Sequence, residues 1–158
     1  MKKLTFAFFA VFLLISTSLE LKAQTYKYAL GGRLGAANGI TFKTFTSDNA
    51  ALDFILNFQS KKDYSYFRFT GLYEIHNPIN NAPGLRWYYG GGGTLGSVEY
   101  KPTNESDFLV SVDGVLGLDY KFDGAPINLA LDWKPAIEVT PNTEFDANGI
   151  GLSIRFTF

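Results

Sequence analysis

The chain ends Gly149-Ile150-Gly151-Leu152-Ser153-Ile154-Arg155-Phe156-Thr157-Phe158. Successive side chains of an extended strand point to opposite faces. Ile150, Leu152, Ile154, Phe156 and Phe158 therefore share one face, and Gly149, Gly151, Ser153, Arg155 and Thr157 share the other. One face is wholly apolar and the other small or polar, without a break. A terminal strand of this kind belongs in a sheet that shows one face to lipid and has to be closed.

Seven segments upstream repeat the pattern, at approximately 26–34, 39–45, 50–58, 65–75, 85–96, 108–122 and 127–139. They are separated by turn-forming stretches such as Ser47-Asp48-Asn49 and Asn77-Pro78 through Pro83-Gly84. One parity of these strands collects large apolar side chains, among them Leu30, Phe42, Phe54, Phe69, Leu95, Leu116, Leu131 and Ile137, and no charge. The other parity collects Lys27, Arg33, Lys43, Arg68, Arg86, Lys121, Lys134 and Arg155 with Asp53, Glu74, Asp113, Asp119, Asp132 and Glu138.

Alternation alone does not say which face points outward, and a soluble lipocalin-like barrel would enclose its apolar face around a ligand. Residue size decides. The polar parity is rich in small side chains, including Ala29, Gly31, Ala51, Gly117, Ala130 and Ser153. The interior of an eight-stranded barrel is just wide enough for packed side chains, so the small and polar face belongs inside. A strand of about ten residues tilted near 45° also spans the ~25 Å apolar band of an outer membrane.

The terminal strand resembles the C-terminal insertion signal of Gram-negative outer-membrane β-barrels, an alternating strand ending in Phe, carried here by Ile150, Leu152, Ile154, Phe156 and Phe158. The chain as a whole resembles the small eight-stranded branch of that class, which contains the OmpA-type and OmpX-type barrels. The resemblance implies an all-β fold, an eight-stranded antiparallel up-and-down transmembrane barrel of the outer membrane. It also implies export by the Sec route, insertion by the barrel-assembly machinery, contact with outer-membrane lipid and lipopolysaccharide, and a monomer. Its loops are short, unlike those of relatives that bind receptors or surfaces through extended outer loops.

The N-terminus agrees with export. Lys2 and Lys3 precede an apolar run from Leu4 to Ile15, and Leu21-Lys22-Ala23 follows, the order of a cleaved signal peptide covering residues 1–23. Residues 24–158 then form one domain. They retain 11 basic and 14 acidic side chains, a balance that gives no reason to expect nucleic acid. There is no Cys, which rules out disulfides, lipid attachment at Cys and thiol chemistry.

With the cleaved N-terminus in the periplasm, Tyr26, Tyr28, Tyr73, Trp87, Tyr89, Tyr120, Phe122 and Phe158 are expected to form an aromatic girdle at the periplasmic rim. The inward charges are expected to pair and plug the lumen. A narrow path for very small solutes is the alternative. No catalytic group, cofactor site or metal site is expected. The single His, His76, falls at the periplasmic end of the fourth strand, where it is expected to hydrogen-bond in the turn. Asp113, Asp119, Asp132 and Glu138 alternate with cations as structural pairs would. The Gly-rich run at 90–93 has no helix after it to make a nucleotide site, and is expected to bend the strand or lie under an aromatic ring, Tyr88 being the nearest candidate. The functional expectation is a non-catalytic barrel with a structural or surface-interaction role.

Overall fold

The computed structural model describes residues 26–36, 38–60, 62–102 and 105–158; the expected leader lies outside them. Ten strand segments are present among these residues: β1 (Tyr28–Gly35), β2 (Gly39–Phe45), β3 (Ala50–Ser60), β4 (Tyr64–Pro78), β5 (Leu85–Tyr100), β6 (Glu105–Lys121), β7 (Ile127–Trp133), β8 (Ala136–Thr140), β9 (Glu144–Asp146) and β10 (Ile150–Thr157). They make eight barrel strands, because β7 with β8 and β9 with β10 are each two halves of one strand. Every pairing is antiparallel, sequence neighbours pair with one another, and β1 pairs with β10, so the ring is closed. Closure pairs the backbone polar groups along the shared ladders of the ring, partners that lipid would not supply.

The exterior is apolar. Leu118, Leu131, Leu152 and Leu34 lie opposite one another in register and form one row across β6, β7, β10 and β1. All four are exposed, Leu131 by 52%. The interior holds the reverse composition: Lys43, Glu74, His76, Tyr88 and Arg155 are each at most 1% exposed. An apolar outside around a charged inside is the arrangement a bilayer stabilises and water does not.

Several elements differ from the sequence expectation. The loops expected at 59–64 and 97–107 are largely strand: β3 runs to Ser60, β4 starts at Tyr64, and the β5–β6 ladder continues to the Tyr100–Glu105 pair. Backbone hydrogen bonds carry the ladder through charged residues there, so side-chain polarity misplaced the strand ends. The seventh strand breaks at Lys134-Pro135. Proline has no N–H to give the ladder, although its carbonyl still accepts from Gly114 at 2.9 Å and β8 resumes on β6 in the same register. Its partner strand acquires β9 in what was read as a loop at 140–148.

At the start of the chain the parity rule fails. Tyr26 is buried and Lys27 exposed, the reverse of expectation, because the ladder begins only at Tyr28 and the chain bends at Lys27. Tyr26 therefore leaves the aromatic girdle and Lys27 leaves the lumen.

Leu131→Arg places a charge in the middle of the leucine row. It is expected to destabilise the folded barrel in lipid vesicles by about 2–4 kcal/mol, measured by urea titration of vesicle-bound protein. No loss of stability would mean that the row faces water.

Candidate functional site: a charged plug beneath a polar vestibule

Tyr26, Phe158 and the turns at 46–49, 79–84 and 122–126 lie at one end of the barrel; the end of β1 and start of β2, the end of β3 and start of β4, the end of β5 and start of β6, and the turn at 141–143 lie at the other, here called distal. The two ends are built differently. In the half nearer the termini the lumen is filled from every side. Lys43 of β2 stands opposite Asp53 of β3, and its Nζ lies 2.7 Å from Glu74 Oε2, 3.5 Å from Asp53 Oδ2 and 3.9 Å from Asp119 Oδ2. The same ammonium sits 4.3 Å from the centre of the Tyr88 ring, a position where the ring face adds attraction.

Arg155 of β10 completes this layer. Its Nη2 donates to Asp53 Oδ2 at 2.6 Å, its Nε to Thr41 Oγ1 at 3.0 Å and its Nη1 to Asn128 Oδ1 at 3.4 Å. Asn128 Nδ2 donates in turn to Asp119 at 2.9 Å, and the Tyr26 hydroxyl donates to Asp119 at 3.2 Å. One level further, Arg33 makes a two-pronged pair with Asp132 at 2.5 and 2.7 Å, to which the Tyr88 hydroxyl also donates at 2.9 Å. Charged donors and acceptors in such geometry form the shorter and stronger class of hydrogen bond.

Apolar side chains fill what the charges leave. Ile55, Leu72, Val115, Ala130 and the Tyr88 ring form one cluster, and Tyr26, Ala29, Phe45 and Ala51 another. The small residues of the inward face are where large ones cross it. A Cβ on Gly117 would stand 2.7 Å from Tyr88 Cζ, and one on Gly151 would strike the Arg33 guanidinium.

Beyond the plug, Thr70 and Thr94 share a hydrogen bond of 2.6 Å, and Asp113 accepts from Thr94 at 2.5 Å, Ser111 at 3.1 Å and Lys134 at 3.0 Å. Distal to them is a cavity of about 460 Å³, with Asn57, Gln59, Tyr64, Tyr66, Arg68 and Lys134 among its walls. Arg68 reaches across the lumen from β4 to within 3.5 Å of Glu138 on β8, and its guanidinium lies 5.0 Å from the Tyr66 ring centre.

Of the charges read as inward, Arg33, Lys43, Asp53, Glu74, Asp119, Asp132 and Arg155 meet in the plug, and Arg68, Asp113, Lys134 and Glu138 meet around the vestibule. Arg86 and Lys121 stay at the terminal rim and serve carbonyls instead: Arg86 donates to Asp48 O at 3.2 Å, Lys121 to Phe122 O at 2.8 Å and Ala125 O at 2.6 Å. Lys27 lies outside, 5.4 Å from the Tyr28 ring. Tyr28, Tyr73, Trp87, Tyr89, Tyr120, Phe122 and Phe158 stand on the exterior face in the half nearer the termini, with Trp87 and Tyr89 stacked at 5.5 Å and Tyr28 and Phe158 tilted against each other at 5.8 Å.

His76 is not a turn residue. β4 continues past it to Pro78, so its parity carries it into the lumen, where Nε2 lies 2.9 Å from Glu74 and the ring stacks on Tyr88 at 4.7 Å. Tyr88 covers Gly117 across the β5–β6 pair rather than the glycines at 90–93. Gly90 and Gly92 permit close approach of β4, since a Cβ on either would meet the carbonyl of Tyr73 or Gly71. Among the described residues no three His, Cys, Asp or Glu side chains converge as a metal site would require. Tyr26, Thr41, His76, Tyr88 and Asn128 joined the plug without being read as part of it. For the last four the usable signal was inward parity, taken without regard to charge.

No protein-family model matches the chain, and no curated protein matches it in sequence. In structure it is similar to Neisserial surface protein A, seen in a crystal structure, with a TM-score of 0.53 and 8% identity over 83% of this chain and 93% of that one. That protein is an eight-stranded outer-membrane barrel. At this identity the likeness shows the fold, and the fold of the present chain is a closed eight-stranded antiparallel transmembrane barrel.

Proposed function

We propose that the chain is a monomeric integral protein of the outer membrane with a structural or surface-interaction role, and that its lumen is closed and non-catalytic. The observation that carries this reading is the charged layer: Lys43 and Arg155, from β2 and β10, are engaged by carboxylates of β3, β4 and β6. Eight strands leave an interior narrow enough for side chains to fill, and the inward paired charges and apolar side chains support that reading. On this reading the distal end faces the cell exterior, residues 1–23 are removed after Sec export, the apolar terminal strand engages the assembly machinery, and the outward face contacts lipid and lipopolysaccharide. The exterior aromatics nearer the termini then form the periplasmic girdle.

Two measurements test the proposal. Protein taken from isolated outer membranes should migrate differently in gels when boiled and unboiled, and the folded form reconstituted in planar bilayers should give no discrete conductance steps. Regular steps from the unaltered protein would replace the closed barrel with the narrow pore. Arg155→Met leaves Asp53 buried with one fewer cation and should cost about 3–5 kcal/mol of stability, read by the temperature at which the gel shift is lost. Asp53→Asn combined with Arg155→Met should recover part of that loss, whereas additive losses would show that the pair does not couple.

A further inference from the structure

The charges of the buried layer do not balance. Lys43 and Arg155 bring two cations to it, whereas Asp53, Glu74 and Asp119 bring three carboxylates, and each of these side chains is at most 2% exposed. The next level does not correct the count, because Arg33 and Asp132 cancel one another. Arg86 and Lys121, the cations of the terminal rim, donate to the backbone carbonyls of Asp48, Phe122 and Ala125. Neither has a carboxylate within ion-pair distance among the described residues. A surplus carboxylate buried in this way has to be neutralised.

The three carboxylates are not equally served. Asp53 accepts from Arg155 at 2.6 Å and from Thr41 at 2.7 Å, and Asp119 accepts from Asn128 at 2.9 Å and from the Tyr26 hydroxyl at 3.2 Å. Glu74 offers one oxygen, Oε2, to both Lys43 at 2.7 Å and His76 Nε2 at 2.9 Å, while its Oε1 has no hydrogen-bond partner among the described residues. His76 is the side chain of the layer whose ordinary chemistry admits a proton near neutral pH. Its ring lies 4.7 Å from Tyr88 and 4.9 Å from Phe45, and its Nδ1 is also without a partner. The charged and titratable groups facing the pair are Lys43 from β2, Asp53 from β3, Tyr88 and Arg86 from β5, Asp119 from β6, Arg155 from β10 and Tyr26 ahead of β1. The two tyrosine hydroxyls donate to Asp132 and Asp119 and bring no charge.

We propose that the layer is completed by one bound proton, held between Glu74 Oε2 and His76 Nε2. Carried on the ring, it gives three charges of each sign; carried on the carboxyl, it gives two. The plug is then a proton-binding site whose cohesion depends on pH. Above about pH 6.5 neither group holds a proton in the unfolded chain, so folding takes one up. The folding constant therefore falls by up to about tenfold for each pH unit gained, for as long as the folded barrel retains that proton.

This assignment rests on the closed membrane barrel proposed above, so the heat-shifted band of the refolded protein is established first. Its absence overturns the barrel reading and the proton site with it. With the band present, urea-unfolded protein is diluted into weakly buffered dodecylphosphocholine micelles near about pH 8, and proton uptake on folding is followed with a pH-indicator dye. Uptake of about one proton per chain is expected. Glu74→Gln removes the surplus carboxylate together with the site and should bring uptake close to zero. Asp119→Asn keeps the Glu74–His76 contact but leaves two carboxylates against two cations, so it should abolish uptake as well. No uptake by the unaltered protein overturns the proton site alone, and undiminished uptake in either variant overturns it too. For a variant that loses the heat-shifted band, the unaltered barrel decides by urea titration in micelles between about pH 7 and 9. A folding constant that falls as the pH rises supports the site, and one that does not change overturns it.

Discussion

Arg155 and Asp53 meet at 2.6 Å inside the barrel although their strands are separated around the wall by β1 and β2. Ties of this kind determine what else the structure can be. A ring of eight strands has a fixed, narrow interior, and side chains from opposite walls must share it. A charge placed there has to find its opposite or it costs several kcal/mol. Lys43 and Arg155, with the three carboxylates of Asp53, Glu74 and Asp119 within their reach, satisfy that condition in this register of the ring. A slip of one residue between neighbours would turn these groups toward lipid and the leucine row toward the lumen.

The same narrowness explains the glycines and alanines of the inward face. Tyr88 can lie across the lumen because its register partner on β6 is Gly117, and Arg33 can reach Asp132 because Gly151 offers no Cβ in its way. Large and small side chains alternate between facing strands as they do in any packed core. The barrel differs only in that its core is polar and its surface is not.

That inversion was legible from the sequence because it is a period-two signal, and period two survives inspection of one strand at a time. The expected apolar face, Leu131 and Leu152 among it, stands on the exterior. What was not legible follows from the limits of the same signal. Parity holds only inside a ladder, so Tyr26, two residues before β1, folded back onto Asp119 against expectation. The end of a ladder is set by backbone pairing, and charged residues such as Glu99 and Glu105 remain in it. The reading of 127–139 as one strand passed over Pro135, where β7 and β8 separate, although proline is rare in continuous strands. His76 was read as a turn residue because β4 was expected to end at 75; the ladder carries on to Pro78, so its parity turns it inward to Glu74 and Tyr88.

The vestibule has its origin in strand length rather than in any special residue. β1 and β2 have 8 and 7 residues where β4, β5 and β6 have 15, 16 and 17. In the half near the termini all eight strands contribute side chains and the lumen fills. In the distal half two strands have ended, the wall they would have formed is missing, and the remaining inward side chains no longer meet in the middle except where Arg68 reaches Glu138. A closed floor and an open side therefore arise from one cause. The packed charges crowd the half near the termini, and the short β1–β2 hairpin leaves the distal half open on that side.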